Sequence, residues 1–158
     1  MTTIVWTDRP KRQIRLVFNS HGGNNFKPLL RELGLNFPDM FISLSNWPGV
    51  VDKSAFFEEE GDHADEMETS LVLYLKPELV LPREDWGKGG SKKHRIKAFS
   101  EGWAWAERKW SEISEDTGVG NPEFSSREKG EQFFKAVTEK MGKFFLELSK
   151  ADPDDLYE

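Results

Sequence analysis

The pattern that most constrains the fold of this chain is a strand, a helix and a second strand in close succession. Residues 13–19 (QIRLVFN) are apolar at alternate positions, and Val17 adds an apolar side chain on the other face, which is typical of an inner strand. A helix is predicted over about 26–33, with Gly34 as its stop, and residues 40–46 (MFISLSN) form the second predicted strand. This βαβ order favours a layered α/β fold with parallel strand pairing.

Two more helices are predicted further along the chain. The first covers residues 63–75, and the second is a long helix, capped by Ser125 or Ser126, that runs to about Lys150. Between them, residues 82–93 are rich in glycine and charge, which predicts a mobile loop.

Length and composition indicate a soluble globular protein. The 158 residues fit a single domain over 1–158, with an acidic tail at 151–158, and 37% of them are hydrophobic. A formal net charge of −6 argues against general binding to nucleic acid or to anionic membranes. The chain has no cysteine, which excludes disulfides and thiolate metal sites, and no apolar run approaches membrane-spanning length. A cytoplasmic location is therefore expected.

The first candidate functional stretch, residues 19–25 (NSHGGNN), directly follows the predicted inner strand. Ligands of open α/β sheets bind beyond the carboxyl ends of strands, where an imidazole such as His21 can hold a metal or carry a proton. Gly22 and Gly23 let the backbone approach a ligand closely. A glycine-rich turn in which His21 only satisfies local hydrogen bonds explains the pattern equally well. Trp47 ends the second strand and is expected at the same edge of the sheet.

The second candidate stretch, residues 58–68 (EEEGDHADEME), has seven acidic residues among its eleven. Solvated charge at a helix N-terminus is the better interpretation for Glu58–Glu60. It fits Glu68 less well, because Glu68 begins to share the apolar side of the helix with Leu71, and a carboxylate near a core needs a partner such as a divalent cation. His63 would reach the same place from the start of the helix. Oxygen and imidazole ligands suit zinc, manganese or iron.

Three stretches resemble motifs of the creatininase (creatinine amidohydrolase) family, in the family's order. Residues 19–24 (NSHGGN) are similar to its NGHGGN element, and residues 61–70 (GDHADEMETS) to its GxHAGxxETS element. Residues 118–122 (GVGNP) and 125–130 (SSREKG) are similar to its closing GDP and ASxxKG stretch before the last helix. Three motifs spread over most of the chain make this a specific match.

The resemblance implies a three-layer α/β/α domain, a homohexamer, and hydrolysis of a C–N bond in a small cyclic amide or formamide. It also implies a divalent metal, with zinc preferred and manganese or iron as alternatives. Carried over to this chain, His21 and Glu68 would be metal ligands, and His63 would be the acid/base that protonates the leaving nitrogen. Substrate contacts are expected from Trp47 and from Gly22, Gly23 and Asn24.

The sequence also departs from the family's pattern. Family members are longer at the N-terminus, where a Glu-x-His element and a following Asp supply at least half of the metal ligands, and this chain contains no Glu-x-His. Ser20 and Asp65 each replace a family glycine. The fold is thus expected to be incomplete at its N-terminus. Three interpretations remain: a hydrolase completed by a partner chain, a non-catalytic subunit that keeps the fold and oligomer interface, and an acidic small-molecule-binding module.

Overall fold

A computed structural model of the protein describes residues 3–7 and 13–158; residues 1–2 and 8–12 of the predicted domain lie outside the described residues. The chain divides into two compact units, Met1–Asp52 with Ala136–Glu158, and Lys53–Lys135. The single domain over 1–158 stays a prediction. No helix of the described ranges is both long enough and apolar enough to cross a bilayer.

The strands are β1 (Thr3–Thr7), β2 (Gln13–Asn19) and β3 (Met40–Asn46), and the helices are α1 (Lys27–Asn36), α2 (Glu66–Leu75), α3 (Lys97–Ser100), α4 (Trp110–Ile113) and α5 (Arg127–Lys150).

The first unit contains a three-stranded sheet in the order β1-β2-β3. Strands β2 and β3 have the predicted bounds and pair in parallel, in a register that places Gln13 opposite Met40 and Asn19 opposite Asn46. The predicted parallel pairing is therefore confirmed. Strand β1, which the sequence pattern does not predict, pairs antiparallel with β2.

Helix α1 continues past its predicted stop. It includes Gly34 and ends at Asn36, so the prediction that Gly34 ends the helix is wrong. The physical stop is Pro38: a residue that precedes proline is disfavoured in the helical region, and Phe37 has a φ of −130° and a ψ of 66°. Pro28 is accommodated in the first turn, where its missing N–H has no helical partner to lose.

The core of the first unit lies on β2 and on the part of α5 that belongs to this unit. Ile14 and Leu16 of β2 are buried, as are Val137 and Met141 of α5. Phe18 contributes an edge-on aromatic contact to Phe145, with the ring centroids 6.2 Å apart.

The second unit is built around α2 and the first turns of α5. Phe133 is fully buried and packs edge-on against Phe56 and Phe57, with centroid distances of 5.4 and 5.1 Å. Helix α5 begins directly after Ser126, whose Oγ accepts a hydrogen bond from the backbone N–H of Lys129, so the predicted serine cap is confirmed.

Helix α2 begins three residues later than predicted. Its N-cap is Asp65, a buried residue whose carboxylate accepts a 2.8 Å hydrogen bond from the N–H of Glu68. His63 precedes the helix and forms an isolated β-bridge with Val119. An aspartate at this position satisfies one of the unpaired N–H groups of the first turn, which explains why the helix starts here.

Candidate active site

The loop that follows β2 is organised by the side chain of Asn19, which is 1% exposed. Its Nδ2 donates to the carbonyl oxygen of His21 at 2.8 Å and to Oδ1 of Asn46 at 3.0 Å. Its Oδ1 accepts from the backbone N–H of His21 at 3.2 Å and from Nδ2 of Asn24 at 3.3 Å. A buried amide with partners on both ends holds the loop in one shape. Asn19 is a functional residue candidate that the sequence reasoning missed.

The imidazole of His21 takes part in a local hydrogen bond. It is exposed, and its Nδ1 accepts from the backbone N–H of Gly23 at 3.1 Å. A neutral imidazole that accepts at Nδ1 carries its proton on Nε2, so neither nitrogen offers a free lone pair in this conformation. Metal binding by His21 would require the ring to leave Gly23. The structure thus contains the local hydrogen bond that is expected if His21 belongs to a glycine-rich turn. The role of His21 as a metal ligand stays a prediction.

Trp47 lies at the same end of the sheet as the His21 loop, as predicted. Its indole Nε1 donates to the carbonyl oxygen of Ser20 at 2.9 Å, which ties the ends of β2 and β3 together. Gly22, Gly23 and Asn24 are exposed. Their roles in substrate binding, and that of Trp47, stay predictions.

In the second unit, the structure brings His63 and Glu68 together. His63 Nδ1 lies 3.8 Å from Glu68 Oε2, and both side chains are partly exposed, at 43% and 39%. The same Oε2 accepts a 2.8 Å hydrogen bond from the backbone N–H of Ala64. Ala64 has a φ of +49°, a left-handed conformation that is uncommon for residues other than glycine and concentrates at functional sites. This turn directs a backbone donor at the Glu68 carboxylate.

His63 is held in place by hydrogen bonds of its backbone and by a contact at the edge of its ring. Its backbone N–H and carbonyl form the bridge to Val119, at 3.2 and 2.8 Å. The ring contacts Trp110 edge-on, with centroids 5.2 Å apart. The guanidinium of Arg108 lies 4.6 Å from the centroid of the Trp110 ring and forms an ion pair with Asp62 at 2.8 Å. His63 is therefore positioned by Val119 and Trp110, both of which lie far later in the sequence.

A cavity of about 510 Å³ opens beside His63 and Glu68, a volume within the range of small-molecule sites. One part of its wall is apolar and another part carries two more carboxylates. These lining residues include Val72, Val80, Leu81 and Trp86, and the acidic residues Asp85 and Asp116.

The predicted loop 82–93 forms part of this cavity and is tied to residues 113–120. The N–H of Lys92 donates to the carbonyl oxygen of Ile113 at 2.7 Å, and Gly89 accepts from the N–H of Gly120 at 3.0 Å. These bonds hold the loop beside the cavity. Its mobility stays a prediction.

Asp116 is the carboxylate of the cavity with the most hydrogen-bond support. Its Oδ1 accepts from the N–H of Gly118 at 2.9 Å and from the hydroxyl of Ser114 at 3.1 Å. These hydrogen bonds stabilise the ionised form and hold the pKa of Asp116 below its ordinary value of 3.8. The cavity wall therefore carries a negative charge here at neutral pH.

The buried carboxylate of α2 is Glu66, and the expectation that Glu68 is the one drawn into the core is wrong. Glu66 is fully buried, and its Oε2 accepts from the N–H groups of Glu58 and Glu59 at 2.8 Å each. Its Oε1 contacts the ammonium of Lys129. Burial acts to raise the pKa of Glu66, but Lys129 and the two backbone donors outweigh it and hold that pKa below 4.5. Glu58 and Glu59 are exposed, as predicted.

The donor types beside the cavity fit a divalent cation. A carboxylate next to an imidazole suits zinc, manganese or iron, and the hydrogen bond from Ala64 uses one lone pair of Oε2, so the Glu68 carboxylate has further lone pairs to offer a cation. Within residues 3–7 and 13–158, no group of three or more His, Asp or Glu side chains is placed to hold a metal ion together.

Comparison with known proteins identifies the family. A family model described as creatinine amidohydrolase matches residues 11–145. The chain belongs to the creatininase family. A crystal structure from Bacteroides fragilis, described as "Putative creatinine amidohydrolase", is 42% identical to the chain with a TM-score of 0.80. The match covers 90% of this chain and 55% of that one, so the chain spans about half the length of this relative. No curated protein matches the chain.

The structural match confirms the predicted α/β creatininase-like fold class at the level of a mixed helix-and-strand chain with a small, partly parallel sheet. The motifs quoted from the sequence lie within the matched range, 11–145. The description of the matching family names an amide-hydrolysing activity.

Proposed function

We propose that this chain is a metal-dependent amidohydrolase that cleaves the C–N bond of a small cyclic amide or formamide. The observation that carries the proposal is the approach of His63 Nδ1 to Glu68 Oε2, 3.8 Å, at the wall of the cavity. Membership of the creatininase family, whose members are generally metal-dependent, supports the same reaction class.

Each of the two residues has a distinct part in the proposed reaction. Glu68, oriented by the N–H of Ala64, binds the cation through its carboxylate. A divalent cation, when bound, lowers the pKa of a bound water and polarises the amide carbonyl. His63 takes up a proton released in the reaction and donates it to the leaving nitrogen, which is the usual contribution of a positioned imidazole. His21 is proposed as a further ligand, after its ring turns away from Gly23.

The cavity also supports the proposed class of substrate. A volume of about 510 Å³ accommodates a compact ring, and Trp86 with its apolar neighbours offers a surface against which a planar amide can pack. Trp47, Gly22, Gly23 and Asn24 are proposed as further substrate contacts. Zinc is the preferred metal, a homohexamer the proposed assembly, and the cytoplasm the proposed location. Sedimentation equilibrium of the purified chain measures the assembly directly.

The test is turnover of creatinine and of a small N-formyl amide by the purified chain, with zinc, manganese or iron(II) added. We expect metal-dependent hydrolysis of at least one probe, and a loss of about 10²- to 10⁴-fold in His63→Asn and Glu68→Gln. His94→Asn is the matched control, because His94 is exposed, and should keep wild-type turnover.

Three results would count against the proposal in different ways. Full turnover by His63→Asn and Glu68→Gln would remove the assigned roles of these residues. If metal uptake and turnover occur only after an N-terminal creatininase segment is added, the chain acts as a subunit whose metal site a partner completes. If they never occur, the proposed hydrolysis fails, and the two non-catalytic interpretations remain, a subunit that keeps the fold or an acidic small-molecule-binding module.

A further inference from the structure

The stretch 125–130 (SSREKG) has no part in the proposed chemistry, yet most of its residues contact α2. The hydroxyl of Ser125, a buried residue, donates to the carbonyl oxygen of Glu66 at 3.2 Å. The N–H of Ser126 donates to the hydroxyl of Ser70 at 3.2 Å. These contacts join the beginning of α5 to the first two turns of α2, the helix that carries Glu68.

Lys129 extends this junction to the segment in front of His63. Its ammonium contacts Oε1 of the buried Glu66 and lies 3.0 Å from Oε1 of Glu58. The other oxygen of Glu66 accepts from the N–H groups of Glu58 and Glu59. The carboxylate of Glu66, in the first turn of α2, thus binds both Lys129 and the chain segment that leads to His63.

The charge of Lys129 is needed for this arrangement. A fully buried carboxylate without a cation is destabilised strongly, and it would have to rehydrate or move. Either change withdraws Oε2 from the backbone of Glu58 and Glu59. The segment between them and Ala64 is short, so a shift at its start reaches the backbone donor that orients Glu68.

We propose that Lys129 and Glu66 are positioning residues for the His63–Glu68 pair. Lys129 holds the Glu66 carboxylate, and Glu66 sets the segment 58–64 against the first turn of α2. The expected effect on catalysis rests on the proposed function. The expected effect of Lys129 on the position of Ala64 is independent of it.

The experiment compares three variants of the full chain. Lys129→Met removes the charge and keeps the length of the side chain, and Lys129→Arg keeps the charge. Lys135→Met is the matched control, because Lys135 lies on the same helix in an exposed ion pair with Glu131. Amide hydrogen exchange is measured at Glu58, Glu59 and Ala64, together with kcat and KM for the amide probe.

In Lys129→Met we expect exchange at those three amides to accelerate at least about tenfold, and kcat to fall about 10- to 100-fold with KM near its wild-type value. Lys129→Arg should keep the exchange rates and kcat close to their wild-type values, and Lys135→Met should change neither the exchange rates nor kcat. The N–H of Gly120, bonded to Gly89 within the same unit, should keep its protection in all variants.

Unchanged exchange at Ala64 in Lys129→Met would overturn the proposal, and so would equal acceleration at Gly120, which would indicate general loosening of the fold. If wild-type protein turns over no probe, the proposed function fails, and the exchange data still decide the positioning. If Lys129→Met does not fold, Lys129→Gln replaces it under the same criteria, since its amide can still donate a hydrogen bond to Glu66.

Discussion

Gly130 of α5 packs directly on the carbonyl oxygen of Ser70 in α2: a Cβ on Gly130 would lie 1.9 Å from that oxygen. The neighbouring atom is backbone, so it can yield only if the two helices separate. We expect Gly130→Ala to lower the free energy of unfolding by about 1–3 kcal/mol, as overpacked sites do. Urea denaturation measures the change.

Gly142 on the same helix provides the control. Among the described residues, a Cβ there meets nothing within 4 Å, so Gly142→Ala should raise stability by about 0.5–1 kcal/mol through helix propensity alone. Equal effects of the two substitutions would show that the contact between Gly130 and Ser70 carries no energetic weight.

Asn19→Ala should destabilise the first unit and loosen the loop after β2. The substitution removes the buried amide and leaves the backbone groups of His21 and the side chain of Asn46 without that partner, at a cost of about 1–3 kcal/mol. Thermal denaturation followed by circular dichroism measures the loss. Asn36→Ala, which removes an exposed amide at the end of α1, is expected to stay within about 0.5 kcal/mol of wild type.

Gly23→Ala should displace the ring of His21. A Cβ at this position would lie 3.1 Å from Cε1 and 3.2 Å from Nδ1 of the imidazole, closer than ordinary contact. The chain has three histidines, so the ring signals of His21 can be resolved by ¹H–¹³C NMR. We expect the Cε1–H signal of His21 to move in Gly23→Ala and to stay in Gly22→Ala, where the nearest atom is 3.9 Å away. A signal that is unmoved in both variants would contradict the ring position.

Asp116→Asn should lower stability in a manner that depends on pH. The folded-state pKa of Asp116 lies below 3.8, so its ionised form stabilises the fold above that pH, and the contribution is lost as pH falls through the folded-state pKa. The difference in Tm between wild type and variant should therefore be constant near neutrality and shrink below about pH 4. It should be small, because Asp116 is exposed. A difference that grows in acid would contradict the assignment.

Local sequence patterns were sufficient for the parts of the fold that depend on local structure. The sequence predicts both strands, 13–19 and 40–46, with their observed bounds, and the serine pair predicts the start of α5. The sequence also predicts that His63 reaches the place of Glu68 from the start of the helix, and the two side chains lie 3.8 Å apart.

The features that the sequence could not reveal depend on distant partners or on backbone conformation. Glu66 can be buried only because Lys129, 63 positions later, reaches it, and no periodicity within α2 contains that information. The positive φ of Ala64 occurs directly after the bridge of His63 to Val119, which is again a contact between segments distant in the sequence. For the same reason, the sequence points to Glu68 as the buried carboxylate when the buried one is Glu66.

The hydrogen bond between Asn19 and Asn46 also has a consequence for how the sheet assembles. These residues are directly opposite each other at the last position of the parallel pair. Sliding β3 by one residue would carry the Asn46 amide about 3.3 Å along the strand and turn it to the opposite face, out of reach of Asn19. The amide pair thus favours one register of β2 and β3, because a sheet in another register cannot form the His21 loop in its observed shape.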